Sequence, residues 1–404
     1  MDCVLIINAG SSSLKFGLYE QDNGQQLVGG AITGIGQDDT QLKVTRDGQP
    51  VTSRSLQSEE VTALESIVVS EVRRVAPDAH IVFMGHRVIH GGPHHFVTTQ
   101  LTSDIIAGLR RIESLAPNHM PAQLNLIEQF MVAVPGAVHF ACFDTAFHYD
   151  MPTKAQRLAI PRKYTEQGVR KFGFHGLSLE SVVDQLREQY PVLPENIIVA
   201  HLGSGASVTA LKNGKSVDTS MSLTPNSGVP MSTRSGDVDP GILTYVSASD
   251  QLSVEQTTNM LARESGLLGI SGTTGAMEAL LEAQGRDPRA AEAVEVFCYS
   301  VSKEIAALSV ALGGIQVLVF AGGMGEVAAE VRQRICAPLY HLGIVLDDTH
   351  NKQHEAVISA ADAKVDVRIV HTDEDSVMVR HVQQASKLAK MPLASTVNNG
   401  DQIR

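Results

Sequence analysis

Two short segments of this chain, separated by about half its length, follow one pattern. Residues 4–13 read VLIINAGSSS, and residues 197–206 read IIVAHLGSGA. Each runs from an apolar, strand-forming stretch into a turn of glycine and serine. Glycine accepts positive φ without strain, and successive backbone N–H groups in such a turn can converge on an anion. One turn alone is equally typical of an ordinary β-hairpin, but the repetition predicts two related halves that face one polyphosphate.

Elsewhere in the chain, apolar runs alternate with helical patterns. Valine and leucine recur at helical spacing from Val61 to Val75, as an amphipathic helix requires. The alternation is typical of an α/β protein, and 404 residues are enough for two domains. A domain boundary is predicted at residues 145–152, where Met151 and Pro152 begin a new segment. The predicted strands cover residues 4–7, 81–84, 138–143, 197–200, 317–320 and 365–370.

Charge, cysteine content and hydropathy exclude several classes of protein. The chain has 32 Lys and Arg against 44 Asp and Glu, and no basic stretch is interleaved with aromatic residues, so nucleic-acid binding is not expected. No apolar stretch approaches the ~20 residues of a membrane span, so no membrane partner is expected. The cysteines, Cys3, Cys142, Cys298 and Cys336, lie far apart, which is typical of reduced thiols in a cytoplasmic protein.

Two basic residues follow the first apolar strands. Lys15 is flanked by apolar residues that should face the core, so it should point back toward the first turn, where it could neutralise a phosphate; an exposed strand lysine is the alternative. Arg87 lies in the segment GHRVIHGGPHH at residues 85–95, where its guanidinium could hold a carboxylate or phosphate through two hydrogen bonds. The four histidines of this segment leave a zinc site as an alternative, although no nearby cysteine or carboxylate completes it.

Three further residues lie where ligands commonly bind. Asp144 ends an apolar strand, a position at which α/β proteins place ligands, although a helix N-cap is the alternative. His175 lies in FGFHG at residues 172–176, and Arg234 in TRSGDVDPG at residues 233–241. A buried, satisfied histidine and a solvated loop arginine are the alternatives for these two.

Two later segments are also candidates. Residues 317–320 run into AGGMGE at residues 321–326 and then a helical pattern, and a strand, glycine turn and helix N-terminus can bind an anion or a nucleotide. This glycine spacing also occurs in many unrelated turns. The acidic segment TDED at residues 372–375 should cap the last helix, whether or not it touches Mg²⁺.

In this order, the motifs resemble those of the acetate kinase family over about residues 4–381. The resemblance implies an α/β protein of two actin-like (ribonuclease H-like) domains with the active site in the cleft between them. The first domain would comprise residues 1–145 with about 377–404, and the second residues 146–376. The implied activity is reversible phosphoryl transfer from ATP to acetate by a cytoplasmic homodimer that requires Mg²⁺ or Mn²⁺.

The resemblance also implies roles for the matching positions. The catalytic residues would be Asp144, His175 and Arg234. The residues that bind the substrate carboxylate and its methyl group would be Arg87 and then Ile89, Phe174 and Pro225. The metal would lie near Asn8 and Glu374. The nucleotide would contact Lys15, His201, Leu202, Gly203, Ser204, Gly205, Ala276, Met277, Glu278, Gly323, Met324, Gly325, Glu326 and Val327.

Departures from the family pattern affect specificity. Ala276 and Glu278 stand where the family usually has Asp and Arg, and Val327 stands where it has Asn. These losses concern the ribose and the base, so pyrophosphate or another nucleotide remains open as the donor. The polar residues expected around the acyl pocket could admit a hydroxylated or amide-bearing acid; they are Asn118, Ser222, Asn226, Ser227 and Ser232.

Three alternatives to acetate kinase activity remain open. Propionate could be the acceptor, because one methylene changes binding in an apolar pocket by only ~1–3 kcal/mol. A sugar kinase of the same fold is disfavoured by the arginines of the carboxylate site. A non-catalytic nucleotide sensor should have lost Arg87, Asp144, His175 or Arg234, and all four are present.

Overall fold

The computed structural model describes residues 1–10, 12–36 and 39–390, with side chains as far as residue 388. These residues form two β-sheets. The strands are β1 (Asp2–Ala9), β2 (Ser13–Glu20), β3 (Gln26–Thr33), β4 (Thr40–Arg46), β5 (Gln49–Leu56), β6 (His80–Val88), β7 (Thr99–Gln100), β8 (Val138–Phe143), β9 (Asn196–Leu202), β10 (Ala206–Lys212), β11 (Lys215–Thr219), β12 (Val317–Ala321) and β13 (Asp366–Ile369). The first sheet has the order β5-β4-β3-β2-β1-β6-β8-β7, and the second β11-β10-β9-β12-β13.

Helices connect and cover the strands of both sheets. Short 3₁₀ helices lie at Glu113–Leu115, Ala146–His148 and Ala337–Leu342. The α-helices are α1 (Ser58–Val61), α2 (Leu64–Val75), α3 (Ser103–Arg110), α4 (Met120–Ala133), α5 (Thr153–Gln156), α6 (Arg162–Glu166), α7 (Gly176–Gln189), α8 (Gly241–Asp250), α9 (Val254–Arg263), α10 (Gly266–Ser271), α11 (Met277–Ala283), α12 (Pro288–Leu312), α13 (Gly322–Val327), α14 (Ala329–Cys336), α15 (Asp348–Lys352) and α16 (Glu374–Lys390).

Each copy of the sequence repeat forms a β-hairpin, one in the first sheet and one in the second. β1 pairs antiparallel with β2, with Asn8 opposite Lys15, and β9 pairs antiparallel with β10, with Leu202 opposite Ala206. β1 is buried along almost its whole length, which explains why its sequence is a continuous apolar run rather than an alternating one. The neighbours of Lys15 are buried and Lys15 itself is exposed, as the alternation predicts.

Parallel pairing brings several strand ends to the same edge of the first sheet. β6 pairs in parallel with both β1 and β8. Asn8 lies near the carboxyl end of β1, Arg87 near that of β6, and Asp144 directly after β8. Open α/β sheets bind ligands at the carboxyl ends of their strands. The topology therefore collects these three side chains where a ligand is expected.

The final helix, α16, joins the two halves of the molecule. It packs on β1, β6 and β8 of the first sheet, where Met378 and Val382 are fully buried. It also packs on α7. In the chain, α7 lies between β8, of the first sheet, and β9, of the second. Across this contact, Glu180 forms ion pairs with Arg380 and with His381 at 2.9 and 2.8 Å. The chain thus returns to its first sheet after completing the second.

The predicted fold class is confirmed: the protein has two α/β halves of actin-like type. All six predicted strands are present, but the predicted helix from Val61 to Val75 is wrong as one element. It is divided into α1 and α2, because Thr62 hydrogen-bonds back to Glu59 O and Ala63 leaves helical geometry. The domain limits remain a prediction, and residues 391–404 lie outside the described part. No helix in that part has the length and apolar character needed to cross a membrane.

Candidate active site

A cavity of about 430 Å³ lies where the two repeated turns meet. Gly10 and Ser13 border it from the first turn, and Gly203 and Gly205 from the second. A backbone hydrogen bond closes each turn, from Gly10 N–H to Ser13 O at 2.8 Å and from Gly203 N–H to Gly205 O at 3.0 Å. Both members of the sequence repeat therefore line one site.

Arg87 is the centre of a hydrogen-bond network on the wall formed by the first sheet. Its Nε–H and Nη2–H groups donate to the carboxylate of Asp144 at 2.6–3.1 Å. Its Nη1–H groups donate to Asn8 Oδ1 at 3.0 Å and to Glu374 Oε2 at 3.2 Å. These bonds fix the plane of the guanidinium and leave one Nη2–H directed to no described residue.

Burial and charge act in opposite directions on this network. Burial disfavours the cation, but Asp144 and Glu374 outweigh it and raise the pKa of Arg87. Burial raises the pKa of the fully enclosed Asp144 above its usual value, with Arg87 opposing. The arginine is therefore charged at neutral pH, and Asp144 holds it in place.

Arg234 is a buried cation whose partners are all neutral. Its Nη1–H donates to Pro225 O at 3.0 Å, and its Nη2 lies 3.2 Å from His119 Nε2. Among the described residues no carboxylate pairs with it. Burial, and then the charge of Arg87, lower its pKa to about 10, so it is still charged at neutral pH. A buried, unpaired cation is costly, and an anion in the cavity would relieve that cost.

The imidazoles of the cavity are neutral at neutral pH. Burial, with nearby cationic groups, lowers the pKa of His119 to about 3 and that of His175 well below its usual value. His175 begins α7 with a left-handed backbone at φ 60°. Its Nδ1 lies 2.9 Å from Ser207 Oγ, which leaves Nε2 free to face the Gly205 turn. The ring of His201 lies beside it, with the centroids 4.5 Å apart.

The apolar corner of the same cavity is formed by Ile89, Phe174 and Pro225. Gln123 braces it: its Oε1 accepts from Ile89 N–H and its Nε2 donates to Ala9 O, both at 3.0 Å. This one amide joins the first turn to the strand end that carries Ile89. The three residues predicted to hold an acyl methyl group therefore lie together beside the buried cations.

The polar residues expected around that corner are directed elsewhere. Ser227 Oγ accepts from Ser222 N–H at 2.6 Å and donates to Thr224 O, so these groups stabilise their own loop. Asn118 Oδ1 accepts from the Nη2–H of Arg263 at 3.3 Å. None of these residues lines the cavity, so the expectation that they make the acyl pocket polar is wrong.

Carboxylates and an amide crowd the start of α16. Asn8 Nδ2 donates to Glu374 Oε2 at 2.8 Å, and Ser178 Oγ donates to the other Glu374 oxygen. Burial opposes ionisation of Glu374, but Arg87 and these hydrogen bonds lower its pKa to about 2. Burial, and then the adjacent charge of Glu374, raise the pKa of Asp375 to about 6, with Asn8 and Lys15 opposing. Lys15, which borders the cavity, lies near this cluster.

The oxygen atoms of these side chains fit a magnesium ion that is bound in part by the protein and in part by the phosphates of a bound nucleotide. No three His, Cys, Asp or Glu side chains of the described residues are grouped to enclose a metal by themselves. Mg²⁺ characteristically binds through one or two carboxylates and completes its shell with water and phosphate oxygens. Glu374, with the amide of Asn8, supplies that kind of incomplete set.

A second cavity of about 810 Å³ continues from the first. Both cavities are bordered by Gly203, Ser204 and Gly323. The second repeated turn, at residues 203–205, therefore lies where the first cavity opens into the second. The remaining wall combines apolar residues of α11 and α13 with two carboxylates; the predicted nucleotide residues found there are Ala276, Met277, Glu278, Met324 and Val327.

Three predicted nucleotide residues do not line either cavity. Leu202 is fully buried in the core, and Gly325 is buried in α13, where its carbonyl accepts from Arg332 at 2.9 Å. Glu326 points away and pairs with His371 at 2.6 Å. Of residues 323–327, Gly323, Met324 and Val327 border a cavity, and Gly325 and Glu326 do not.

Sequence reasoning missed at least two residues of the site, His119 and Gln123. His119 directly precedes α4, which has proline in its first turn, and this helix start is the only local signal. The partner of His119, Arg234, is 115 residues away in sequence, so no spacing rule could connect them. The histidines of residues 86–95 face separate neighbours; His86, for example, contacts His139 at 2.9 Å.

Comparison with known proteins identifies the family of this chain. A sequence model of the Acetokinase family matches residues 3–380. The chain is 38% identical to the acetate kinase of Rhodopseudomonas palustris strain TIE-1 over 392 residues, covering 94% of this chain and 98% of the relative. A propionate kinase structure from Francisella tularensis aligns with TM-score 0.86 at 34% identity, covering 95% of this chain and all of the other. The Porphyromonas gingivalis acetate kinase structure aligns with TM-score 0.82 at 33% identity, covering 95% and 99%.

The actin-like fold and its charged cleft thus define a phosphotransferase. The chain belongs to the acetate kinase family, whose members are kinases with a carboxylate acceptor.

Proposed function

We propose that this enzyme transfers the γ-phosphoryl group of ATP reversibly to acetate, giving acetyl phosphate and ADP. The observation that carries the proposal is Arg234, a buried guanidinium with only neutral partners, next to the Gly205 turn and to Arg87. The γ-phosphoryl group carries its negative charge on three oxygens while it is transferred. It would therefore be the anionic partner that Arg234 lacks. The apolar corner beside it suits a short acyl chain.

The mechanism requires alignment and charge balance rather than a strong base. An ionised carboxylate is already a nucleophile, so the protein need only hold it in line with the γ-phosphorus. Arg87 would hold the acetate through its remaining Nη2–H, and Asp144 fixes the arginine. Arg234 and the Nε2–H of a neutral His175 would stabilise the charge on the transferring oxygens.

The phosphates and their metal would occupy the junction of the two turns. Lys15 and the backbone of the Gly203 turn would hold the β- and γ-phosphates. Glu374 and Asn8 would hold Mg²⁺ or Mn²⁺, directly or through water, and the ion would neutralise charge on the phosphate oxygens. The nucleoside would extend into the cavity of about 810 Å³.

Propionate is the nearest alternative acceptor, since one methylene alters binding by only ~1–3 kcal/mol. A more polar acid has less support, because Ile89, Phe174 and Pro225 are the side chains at the apolar corner. A sensor without activity has less support still, because the groups needed for transfer lie in one cavity.

The donor is expected to be weakly selected. Ala276 offers no hydrogen bond to a ribose hydroxyl, and Glu278 brings a negative charge to the nucleoside cavity. Losing a charged hydrogen bond and a stacked cation costs roughly 1 to 2 kcal/mol each, which implies about 10² weaker ATP binding. We expect ATP and GTP, and to a smaller extent pyrophosphate, to serve as donors.

A matrix of donors and acceptors tests both specificities. Acyl phosphate is trapped as hydroxamate with ATP, GTP or pyrophosphate against acetate, propionate, butyrate and glycolate, in Mg²⁺ and in Mn²⁺. Acetate or propionate should give the highest kcat/KM. Activity on none of these acids would overturn the function, whereas tight, adenine-selective ATP binding by the unaltered protein that Ala276→Asp and Glu278→Arg do not strengthen would overturn only the donor prediction.

We also propose that the active form is a cytoplasmic homodimer. Helix α8 has no buried residue, and Leu243 and Tyr245 are 41% and 72% exposed on it. An apolar helix exposed in this way is typical of a protein–protein interface. Light scattering should give twice the chain mass, and the double variant Leu243→Asp/Tyr245→Asp should give a monomer. A monomeric wild type at micromolar concentration would contradict this.

A further inference from the structure

Arg170 is a half-buried arginine that the proposed phosphoryl transfer does not use. Its Nη1–H groups donate to Gln156 Oε1 at 3.0 Å and to Tyr149 O at 3.5 Å. Its guanidinium carbon lies 4.9 Å from the centre of the Tyr149 ring and 5.2 Å from the centre of the Phe172 ring. One end of the guanidinium is therefore fixed by acceptors, and the group is held against two aromatic rings.

The other edge of this guanidinium has no partner. Its Nε is buried, and neither Nε nor Nη2 hydrogen-bonds a residue that the structure describes. Burial lowers the pKa of Arg170, with Tyr149 and Asp150 opposing, but arginine stays charged in proteins. Across the described ranges, no carboxylate forms an ion pair with it. Two adjacent N–H groups of an arginine can bind two oxygens of an oxyanion in parallel.

A cavity of about 80 Å³ is bordered by Arg170 and by a second buried polar group. That group is the hydroxyl of Thr165 in α6, whose Oγ1 also has no hydrogen-bond partner in the described part of the chain. Arg157 borders the same cavity. One enclosed water needs only about 10–15 Å³, so there is room for a ligand of several atoms. Because buried polar groups are nearly always hydrogen-bonded, two without partners in one cavity require an occupant.

The segment around this cavity is basic, although the chain as a whole is acidic. Residues 150–171 contain six Lys or Arg against two Asp or Glu, a net charge of +4 in a chain of −12. Within the described residues, Lys171 is the one member of the six that pairs with a carboxylate, that of Asp218 at 2.8 Å. A local excess of positive charge attracts anions and repels metal cations. The occupant should therefore be negatively charged.

We propose that this cavity binds a small tetrahedral oxyanion of the phosphate type. Two of its oxygens accept from the Nε–H and Nη2–H groups of Arg170. The remaining oxygens are left for the hydroxyl of Thr165 and the guanidinium of Arg157. A phosphate can serve all three side chains in this way, and its charge balances the unpaired arginine.

The proposed oxyanion site is distinct from the active site. Arg157, Thr165 and Arg170 border neither cavity of the active site. Phe172, against which Arg170 lies, has its ring centre 4.5 Å from that of His90. The proposal does not rest on the proposed function, since it concerns binding alone.

Calorimetric titration with inorganic phosphate tests the proposal in solution. The titrations use the Arg234→Ala background, because the unpaired active-site arginine can also bind phosphate. Adding Arg170→Gln should weaken binding at least about tenfold, since it removes charged hydrogen bonds. The matched control is Arg162→Gln, which removes a cation of the same basic segment that does not border the cavity, and it should leave the affinity within about twofold of the background.

A milder variant and a crystallographic experiment complete the test. Thr165→Val keeps the shape of the side chain and every charge, so it should weaken binding by about twofold to tenfold even if Arg170→Gln does not fold. Crystals soaked in selenate should show an anomalous selenium peak beside Arg170.

Three results would overturn the proposal. The first is an affinity for phosphate that neither Arg170→Gln nor Thr165→Val reduces. The second is an equal loss in Arg162→Gln, which would mean diffuse attraction to the basic segment. The third is a cavity that contains water only, or an ion bound at crystal concentration only, with no binding in solution.

Discussion

Replacing Arg234 with alanine is expected to lower kcat by at least ~10³, the range associated with an arginine that stabilises a transferring phosphoryl group. The side chain has no carboxylate partner among the described residues, so its charge serves the ligand and not the fold. Removing an unpaired buried cation should leave the unfolding midpoint unchanged or higher. Steady-state kinetics and thermal unfolding of the same preparation measure the two effects separately.

The matched control for this variant is Arg263→Ala. Arg263 lies near the same histidine, but it contacts Asn118 instead of the cavity and should have little effect on kcat. Added guanidinium ion should partly restore the activity of Arg234→Ala, because it can occupy the vacated space. If Arg234→Ala turned over at nearly the wild-type rate, the role assigned to this residue would be wrong.

Replacing Arg87 with methionine is expected to affect both stability and acceptor binding. It leaves Asp144 fully buried without its cation, and breaking a buried ion pair from one side costs about 3–5 kcal/mol. It also removes the proposed carboxylate clamp, whose loss of about 1.5–3 kcal/mol should raise the acetate KM roughly 10- to 10²-fold. Denaturant unfolding and acetate titrations measure the two effects.

The double variant Arg87→Met/Asp144→Asn distinguishes the two roles. It removes both charges, so it should recover much of the stability but none of the affinity for acetate. Recovery of a near wild-type acetate KM would mean that Arg87 acts only as the partner of Asp144. An Arg87→Met variant as stable as the wild type would contradict the role of the buried pair in the fold.

Much of this structure could be predicted because the informative patterns are local. The apolar run of β1 is continuous because both faces of this strand are buried. Around Lys15 the sequence alternates because only one face is buried there. Both patterns are visible in the sequence. The repeated turns predicted a shared cavity because each has the same strand–turn–strand pattern. Asp144 could be proposed because it ends a predicted apolar strand, and Arg87 because its guanidinium follows one closely.

The missing parts depend on contacts that sequence spacing does not encode. Gln123 bridges Ala9 and Ile89 through a single amide, and no pattern in a helix marks a buried glutamine as such a brace. The family resemblance implies a nucleotide contact for Glu326, but the helical turn of α13 directs this side chain toward His371. The sequence predicts that the polar residues around Ser227 lie at the acyl pocket, yet in the structure they hydrogen-bond within their own loop.

The hydrogen bond between Asn8 and Glu374 joins residues 366 positions apart. During translation at about 5–20 residues per second, these two side chains emerge from the ribosome roughly 20 to 70 seconds apart. Until α16 is made, the face of the first sheet that contains Val4, Ile6 and Phe83 lacks the helix that covers most of it. A nascent chain of this enzyme therefore exposes an apolar surface until synthesis is nearly complete, and such surfaces promote aggregation.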